Sequence, residues 1–226
     1  MIGFHVYEHP GRVDAETIKA FDGLPVANVS DVMSRMMGGG PRLHARHSGT
    51  AMAGPAVTVK TRAGDNLMIH KAIDIAEPGD IIVVDADGDT TSAVVGDLMV
   101  AHARYRGIAG IVIYGAIRDA AVIGQGDFPV YSLGISHRGP FKDGPGTVNA
   151  PISLAGMIVA PGDLVLGDAD GVVSVPRAET RAICDAAIKK AAAEDKQMQE
   201  TLKGAMDRSW VDRTLLKKGC IVEVPS

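Results

Sequence analysis

The run from Gly96 to Asp119, GDLMVAHARYRGIAGIVIYGAIRD, constrains the fold more than any other stretch of the chain. Asp97, Leu98, Met99, His102 and Tyr105 outline an amphipathic helix, Gly107 and Gly110 end it, and Ile111 to Tyr114 then read as a buried strand. A helix feeding such a strand is the unit of an α/β fold. Open α/β sheets place their ligands just beyond the carboxyl ends of the strands, so Arg118 and Asp119 stand where a site is expected. The helix that opens after Gly96 offers a second element. Its first N–H groups lack internal partners and carry the positive end of the helix dipole, which makes them a cradle for an anion.

The 226 residues suffice for one domain, or for a domain with an added lobe, rather than two. A net charge of -4, with lysine and arginine scattered along the chain, excludes the basic footprint of a nucleic-acid binder. The beginning, MIGFHVYEHPGR, lacks a basic segment followed by an apolar one, so no secretory signal and a cytoplasmic location are expected. No apolar run approaches the roughly 20 residues of a membrane span. Cys184 and Cys220 are far apart and fit neither a disulfide framework nor a zinc site.

Elsewhere the signals are mainly architectural. Asp14 caps a short helix to Phe21, and Asn28 or Ser30 can cap another running to Met37. His44 and His47 have no third residue at metal spacing, so ordinary surface or hydrogen-bonding roles are expected. Thr50 to Thr61 is strand-like, with Gly54-Pro55 as a bulge or edge feature. Asp65 or Asn66 is placed to cap a helix carrying Leu67, Ile69, Ala72, Ile73 and Ile75, while His70 can face either core or cleft.

An internal echo links Pro78-Gly79-Asp80-Ile81-Ile82-Val83-Val84-Asp85-Ala86-Asp87-Gly88 to Pro161-Gly162-Asp163-Leu164-Val165-Leu166-Gly167-Asp168-Ala169-Asp170-Gly171. Each copy is a Pro-Gly turn, a short apolar strand and an acidic loop. Calcium does not explain the loops. An EF-hand begun at Asp85 finds Thr90 at its sixth place and Gly96 at its twelfth, and one begun at Asp168 finds Val173 at its sixth.

Beyond the central stretch, Val122 to Phe128 reads as loop, Phe128 to Ser132 as strand and Ser136 to Gly146 as a surface excursion. Two short strands follow, over Thr147 to Ser153 and Met157 to Ala160, with a bend at Asn149-Ala150-Pro151. From Arg177 the composition shifts to a long Ala-, Lys- and Glu-rich helix, on which Glu194 shares the face of Ile183 and Ala187. Glu194 either snorkels to solvent or pairs with Lys190, or the helix packs over a cleft and delivers it there. Cys220 to Val224 closes the chain as a strand-like tail.

The spacing D-x20-R-D over Asp97, Arg118 and Asp119 follows Gly64-Asp65-Asn66 and precedes Gly167-Asp168-Ala169-Asp170-Gly171-Val172. This set resembles the 4-hydroxy-4-methyl-2-oxoglutarate aldolase/oxaloacetate decarboxylase family, whose fold is that of the regulator of ribonuclease activity A proteins. The resemblance spans most of residues 25 to 200. It implies a compact layered α/β fold with a small central sheet flanked by helices, divided into a catalytic core over residues 1–176 and a helical extension over 177–226 that reaches a neighbouring subunit of a trimer or hexamer.

It further implies Mg2+ or Mn2+ held by Asp119 and by water, with Glu194 of a neighbouring copy acting through water. Arg118 would bind the 2-oxo oxygen or carboxylate of a small 2-oxo acid. Gly96, Asp97, Leu98, Met99 and Asn66 would complete its binding, with Asp97 in the inner water network. The implied reactions, retro-aldol cleavage and β-decarboxylation, share the build-up of charge on the 2-oxo oxygen of a pyruvate enolate, so one site can serve both. The rival reading is a non-catalytic regulator that binds a ribonuclease or another protein. A quinone methyltransferase finds no cofactor-binding glycine fingerprint in this chain.

Overall fold

The structure, a computed structural model, describes residues 3–221. It forms two compact units, Met1–Ala187 and Ile188–Ser226. The strands are β1 (Phe4–Val6), β2 (His44–Ala45), β3 (Met52–Thr61), β4 (Ile81–Asp85), β5 (Ala93–Val95), β6 (Gly110–Ile117), β7 (Val130–Ile135), β8 (Gly146–Val148), β9 (Ile152–Leu154), β10 (Met157–Val159), β11 (Leu164–Asp168) and β12 (Gly171–Val175). The α-helices are α1 (Ala15–Lys19), α2 (Val26–Val32), α3 (Leu67–Ile75), α4 (Asp97–Tyr105), α5 (Ala120–Gln125), α6 (Thr180–Leu202) and α7 (Ser209–Lys217). The α/β expectation therefore holds.

The main sheet of the first unit runs β1-β8-β3-β4-β6-β7-β2. Its centre, β3-β4-β6-β7, is parallel, and β5 lies parallel to the end of β6. Side chains alternate between two cores. Val57, Val59, Ile82, Val84, Ile111 and Ile113 pack on one face with Met68, Ile69, Ala72 and Ile73 of α3, Met99 and Ala103 of α4, and Ile123 of α5. Ala56, Ile81, Val83 and Val112 turn to the other face, against Leu154, Met157 and Val159 of the β9–β10 hairpin. With both faces covered, the central strands need apolar residues at almost every position, as their sequences show.

The first half of β3 pairs with β11 and the second half with β4, so Gly54-Pro55 sits where the strand changes partners. A third core joins β11 and β12 to Val26 and Val29 of α2, with Phe21 and Cys184. The echo is structural. Asp80 Oδ2 accepts from Glu77 N and Asp163 Oδ2 from Ala160 N, both at 2.8 Å, across Pro-Gly turns whose glycines have φ of +91° and +83°. In the acidic loops, Asp85 Oδ1 accepts from Asp87 N and Asp168 Oδ1 from Asp170 N, each at 2.9 Å. These are the side-chain turns expected in place of a calcium loop.

Several local expectations are corrected. α2 begins after Pro25, ahead of Asn28 and Ser30, because Asp168 Oδ2 accepts from Val26 N at 2.9 Å and caps it from a distant strand. It ends at Val32, before Met37. The loop read at Val122 to Phe128 contains most of α5, whose Ile123 is buried. Strand β5 is an addition that three residues could not announce. The tail read at Cys220 to Val224 lies largely outside the described residues. In the second unit, α7 carries Trp210 and Leu216 exposed. Among the described residues no helix is long and apolar enough to cross a membrane.

Candidate active site

The site is assembled at the carboxyl ends of β3, β5 and β6. Strand β5 hands directly to Gly96 and α4, and β6 hands to Arg118, whose N–H donates to Val95 O at 2.9 Å. That bond brings the two ends of the central stretch side by side. Asp119 then turns the chain into α5 with φ +56° and ψ +33°, a left-handed conformation that aspartate tolerates better than most residues. An aspartate at this position ordinarily caps its own helix. Here it does not, and its Oδ2 instead accepts from Asp97 N at 3.2 Å and lies 3.3 Å from Arg118 Nε.

Gly96 makes this convergence possible. A Cβ there would fall 2.5 Å from Asp119 Oδ2, 2.9 Å from Arg118 Nε and 3.0 Å from Arg118 Cγ. The glycine is required for space, since its φ of −136° suits any residue.

The amides of α4 already hold carboxylates. Asp97 N is taken by Asp119, and Leu98 N donates to Asp97 Oδ1 at 2.7 Å. Both contacts display the attraction of this helix start for carboxylate oxygen.

A cavity of about 340 Å³ opens beside the junction, lined by Gly96, Leu98, Met99 and Arg118 together with Asn66 and His70 of the α3 start. Its remaining wall includes Gly139, Pro140 and Lys142. The segment read as a surface excursion therefore folds back over the site. Its anchor is Asp65, fully buried, whose Oδ1 accepts from Leu67 N at 3.0 Å while Oδ2 accepts from Asp143 N and Gly144 N at 2.8 and 3.0 Å. Burial pushes the Asp65 carboxyl up, but these three amides and Arg62 outweigh it and hold the group below its ordinary value. Asp65 is thus the helix cap and also the pin of the cavity wall. Asn66 makes no cap bond and donates instead to Val94 O at 3.0 Å and Met99 Sδ at 3.3 Å.

The structure gathers Gly96, Leu98, Met99, Asn66, Arg118 and Asp119 into one neighbourhood. Asp119 faces a second cleft, shared by Arg118, Ile135, Ser136 and His137, so the guanidinium borders both spaces. Asp97 is at the junction, but its carboxylate turns to its own helix. Glu194 belongs to α6 in the second unit, where Lys190 Nζ lies 2.6 Å from its Oε1. His70 joins the site, a placement the sequence left open. His47 serves structure, with Nε2 2.7 Å from Thr50 O and Nδ1 accepting from Val130 N.

A family model described as RraA-like, Aldolase/RraA, matches residues 26–174. The chain belongs to that family. Among its relatives, a protein of Halalkalibacterium halodurans named "Putative 4-hydroxy-4-methyl-2-oxoglutarate aldolase" is 37% identical over 181 residues, covering 80% of this chain and 86% of that protein. The fold is similar to an uncharacterized protein from Pseudomonas syringae pv. tomato, with a TM-score of 0.78, 25% identity and coverage of 87% and 96% of the two chains. It is also similar to the RNA-processing inhibitor RraA from Thermus thermophilis, with a TM-score of 0.62, 25% identity and coverage of 67% and 92%. The matched span contains every residue at the β3, β5 and β6 ends described above. It stops short of α6.

Within this Aldolase/RraA core, among the described residues, no three His, Cys, Asp or Glu side chains cluster as a metal cage. A metal would therefore rest on Asp119 alone among these carboxylates, with Oδ1 outside the contacts made by Oδ2. One carboxylate completed by water is a mode suited to magnesium, which keeps several waters. The donor set fits.

Proposed function

We propose that the protein is a divalent-metal-dependent lyase that cleaves 4-hydroxy-2-oxo acids to pyruvate by retro-aldol reaction and decarboxylates oxaloacetate through the same enolate. The observation that carries this reading is the junction itself: an amide cradle, a guanidinium and a carboxylate meet within 3.3 Å beside a cavity sized for a small acid. The names of the aldolase relatives support the reaction class.

Asp119 would hold Mg2+ or Mn2+ with water, and the bound ion would supply Lewis-acid stabilisation of charge on the 2-oxo oxygen. Arg118 offers its guanidinium to that oxygen or to the adjacent carboxylate, with the planar fork that suits bidentate recognition. The α4 amides hold the substrate carboxylate, which takes the place of Asp97 on Leu98 N. Asp97, released from its helix, then faces the water around the reacting group.

In cleavage the 4-hydroxyl passes its proton to water, the C3–C4 bond breaks to leave a carbonyl at C4, and the electron pair of that bond forms the pyruvate enolate, which takes a proton from water at C3. In decarboxylation the bond to CO2 breaks and the same enolate forms, with no hydroxyl proton to remove. Donors aimed at developing charge act most strongly in the transition state, which is why Arg118 is assigned a catalytic role. Glu194 is assigned to a neighbouring copy's site, acting through water, in a homo-oligomer of three or six chains.

Calorimetric titration tests the binding half of this reading. Oxalate, a mimic of the enolate, should bind only with magnesium present, and Asp119→Ala should lose that binding. Equal oxalate affinity with and without metal would remove the metal from the account. The rival regulator reading draws on the likeness to RraA from Thermus thermophilis. It predicts no pyruvate from any 2-oxo acid and a measurable complex with a ribonuclease.

A further inference from the structure

Residues 7–14 adopt no regular secondary structure, yet they form a strap bound to β3, β8 and both Pro-Gly turns. Tyr7 N donates to Val148 O at 3.0 Å, and Tyr7 O accepts from Asn149 Nδ2 at 3.1 Å. Arg12 grips Asp80, which is 1% exposed, through Nε and Nη2 at 2.8 and 2.9 Å. Arg177, just ahead of α6, donates to Pro10 O at 2.9 Å. The strap lies directly on the second turn: a Cβ on Gly162 would fall 2.1 Å from Gly11 O and 3.4 Å from the His9 ring.

His9 is the centre of this arrangement. Its Nε2 lies 3.2 Å from Ala56 O, and its Nδ1 accepts from Gly11 N at 3.3 Å. A carbonyl can only accept and a backbone N–H can only donate, so both partners demand one form, the neutral imidazole with its proton on Nε2. Ala56 O also accepts from Gly162 N at 2.8 Å, so a single carbonyl joins strap, strand and turn. Ala56 stands opposite Ile81, the first residue of β4, at the end of these strands away from the candidate active site.

A proton added to Nδ1 turns an acceptor into a donor that faces the Gly11 N–H. That bond is lost, and a cation appears beside Arg12. Nearby carboxylates offset this only in part. Asp80 and Glu77 are engaged by Arg12, with Glu77 Oε1 3.1 Å from Nη1, and Asp163 in the adjacent turn accepts from Ala160 N and Arg177 N. Burial, together with the Arg12 charge, holds the His9 imidazole below its ordinary value against the Ala56 bond and the attraction of Asp80 and Glu77.

We infer that His9 is an acid-sensitive latch: its neutral imidazole holds the strap on β3 and the Gly162 turn, and protonation releases it. The sign follows from linkage. The folded value lies below the ordinary 6.5, so the latch holds fully above about pH 6.5 and loosens as pH falls from there toward the folded value. The latch precedes the matched span 26–174 and stands whatever reaction the site performs.

Hydrogen exchange on the full chain tests the latch, with rates expressed as protection relative to the unfolded chain so that the pH dependence of the exchange chemistry cancels. Losing one hydrogen bond shifts a local opening equilibrium about 3-fold to 10-fold. Wild-type protection across residues 7–12 should fall by that factor between about pH 7.5 and about pH 5, while β6 is unchanged. His9→Gln gains no proton in this range and should show equal protection at both values. Nitrogen NMR of the wild-type imidazole gives a readout that needs no variant: an Nε2–H tautomer near neutrality and a titration midpoint below 6.5. An Nδ1–H tautomer, a midpoint at or above 6.5, unchanged wild-type protection, or an equal fall in wild type and His9→Gln would each overturn the latch.

Discussion

Gly96→Ala is the most telling single substitution, because the structure sets its effect in ångströms. The new methyl would lie 2.5 Å from Asp119 Oδ2, where ordinary contact begins at 3.4 Å, so the carboxylate must retreat by about 0.9 Å. Arg118 Nε, at 2.9 Å, must move as well. The backbone is unaffected, since φ is −136°. Both obstructing atoms belong to side chains at the surface of the site, so the fold should absorb the change. A misplacement of about 1 Å costs on the order of 100-fold in rate, or about 2.7 kcal/mol in the barrier. Pyruvate release from a 4-hydroxy-2-oxo acid should accordingly drop about 100-fold in kcat/KM, with weakened magnesium dependence and a melting temperature within a few degrees of wild type. Wild-type rate and metal affinity in Gly96→Ala would refute the claim that this glycine holds Asp119 and Arg118 together.

Three further outcomes follow from the same geometry. Asp65→Asn places an NH2 group among three backbone donors and should cost about 2–4 kcal/mol in urea unfolding. The pH dependence of that cost has a definite sign. The folded pKa of Asp65 is depressed, so its contribution is complete above the unfolded value near 3.8 and is lost as pH falls through the lower folded value. The stability gap between wild type and Asp65→Asn should therefore be constant near neutrality and close only below about pH 4. Finally, if Glu194 serves a neighbouring copy, Asp119→Ala and Glu194→Ala chains should each be inactive alone, and their co-expression should restore part of the activity through mixed sites. No recovery in verified mixed oligomers would remove Glu194 from the chemistry and leave it a structural residue paired with Lys190.

Much of the site was legible in sequence because its parts are local. The helix after Gly96, the strand through Ile113 and the Arg118-Asp119 end are each announced by glycines and apolar spacing, and Val95 O then joins both ends through Arg118 N. Asp65 as a cap was equally local. Its second duty was not, since Asp143 and Gly144 lie 78 and 79 residues away. For the same reason the wall formed by Gly139, Pro140 and Lys142 read as a surface excursion. The α2 boundary was missed because its cap, Asp168, is 142 residues distant from Val26. His70 could be placed only by the packing of α3, as helical spacing alone does not say which flank opens on a cavity. The signal that could have found it is its position one turn after Asn66.

The most direct test of the central claim is the magnesium dependence of pyruvate release from 4-hydroxy-4-methyl-2-oxoglutarate, measured in parallel for wild type and Asp119→Ala. The account predicts a saturable rise with metal in the wild type, abolished by chelator, and no metal-dependent turnover in Asp119→Ala. Pyruvate release that survives both excess chelator and Asp119→Ala would contradict it.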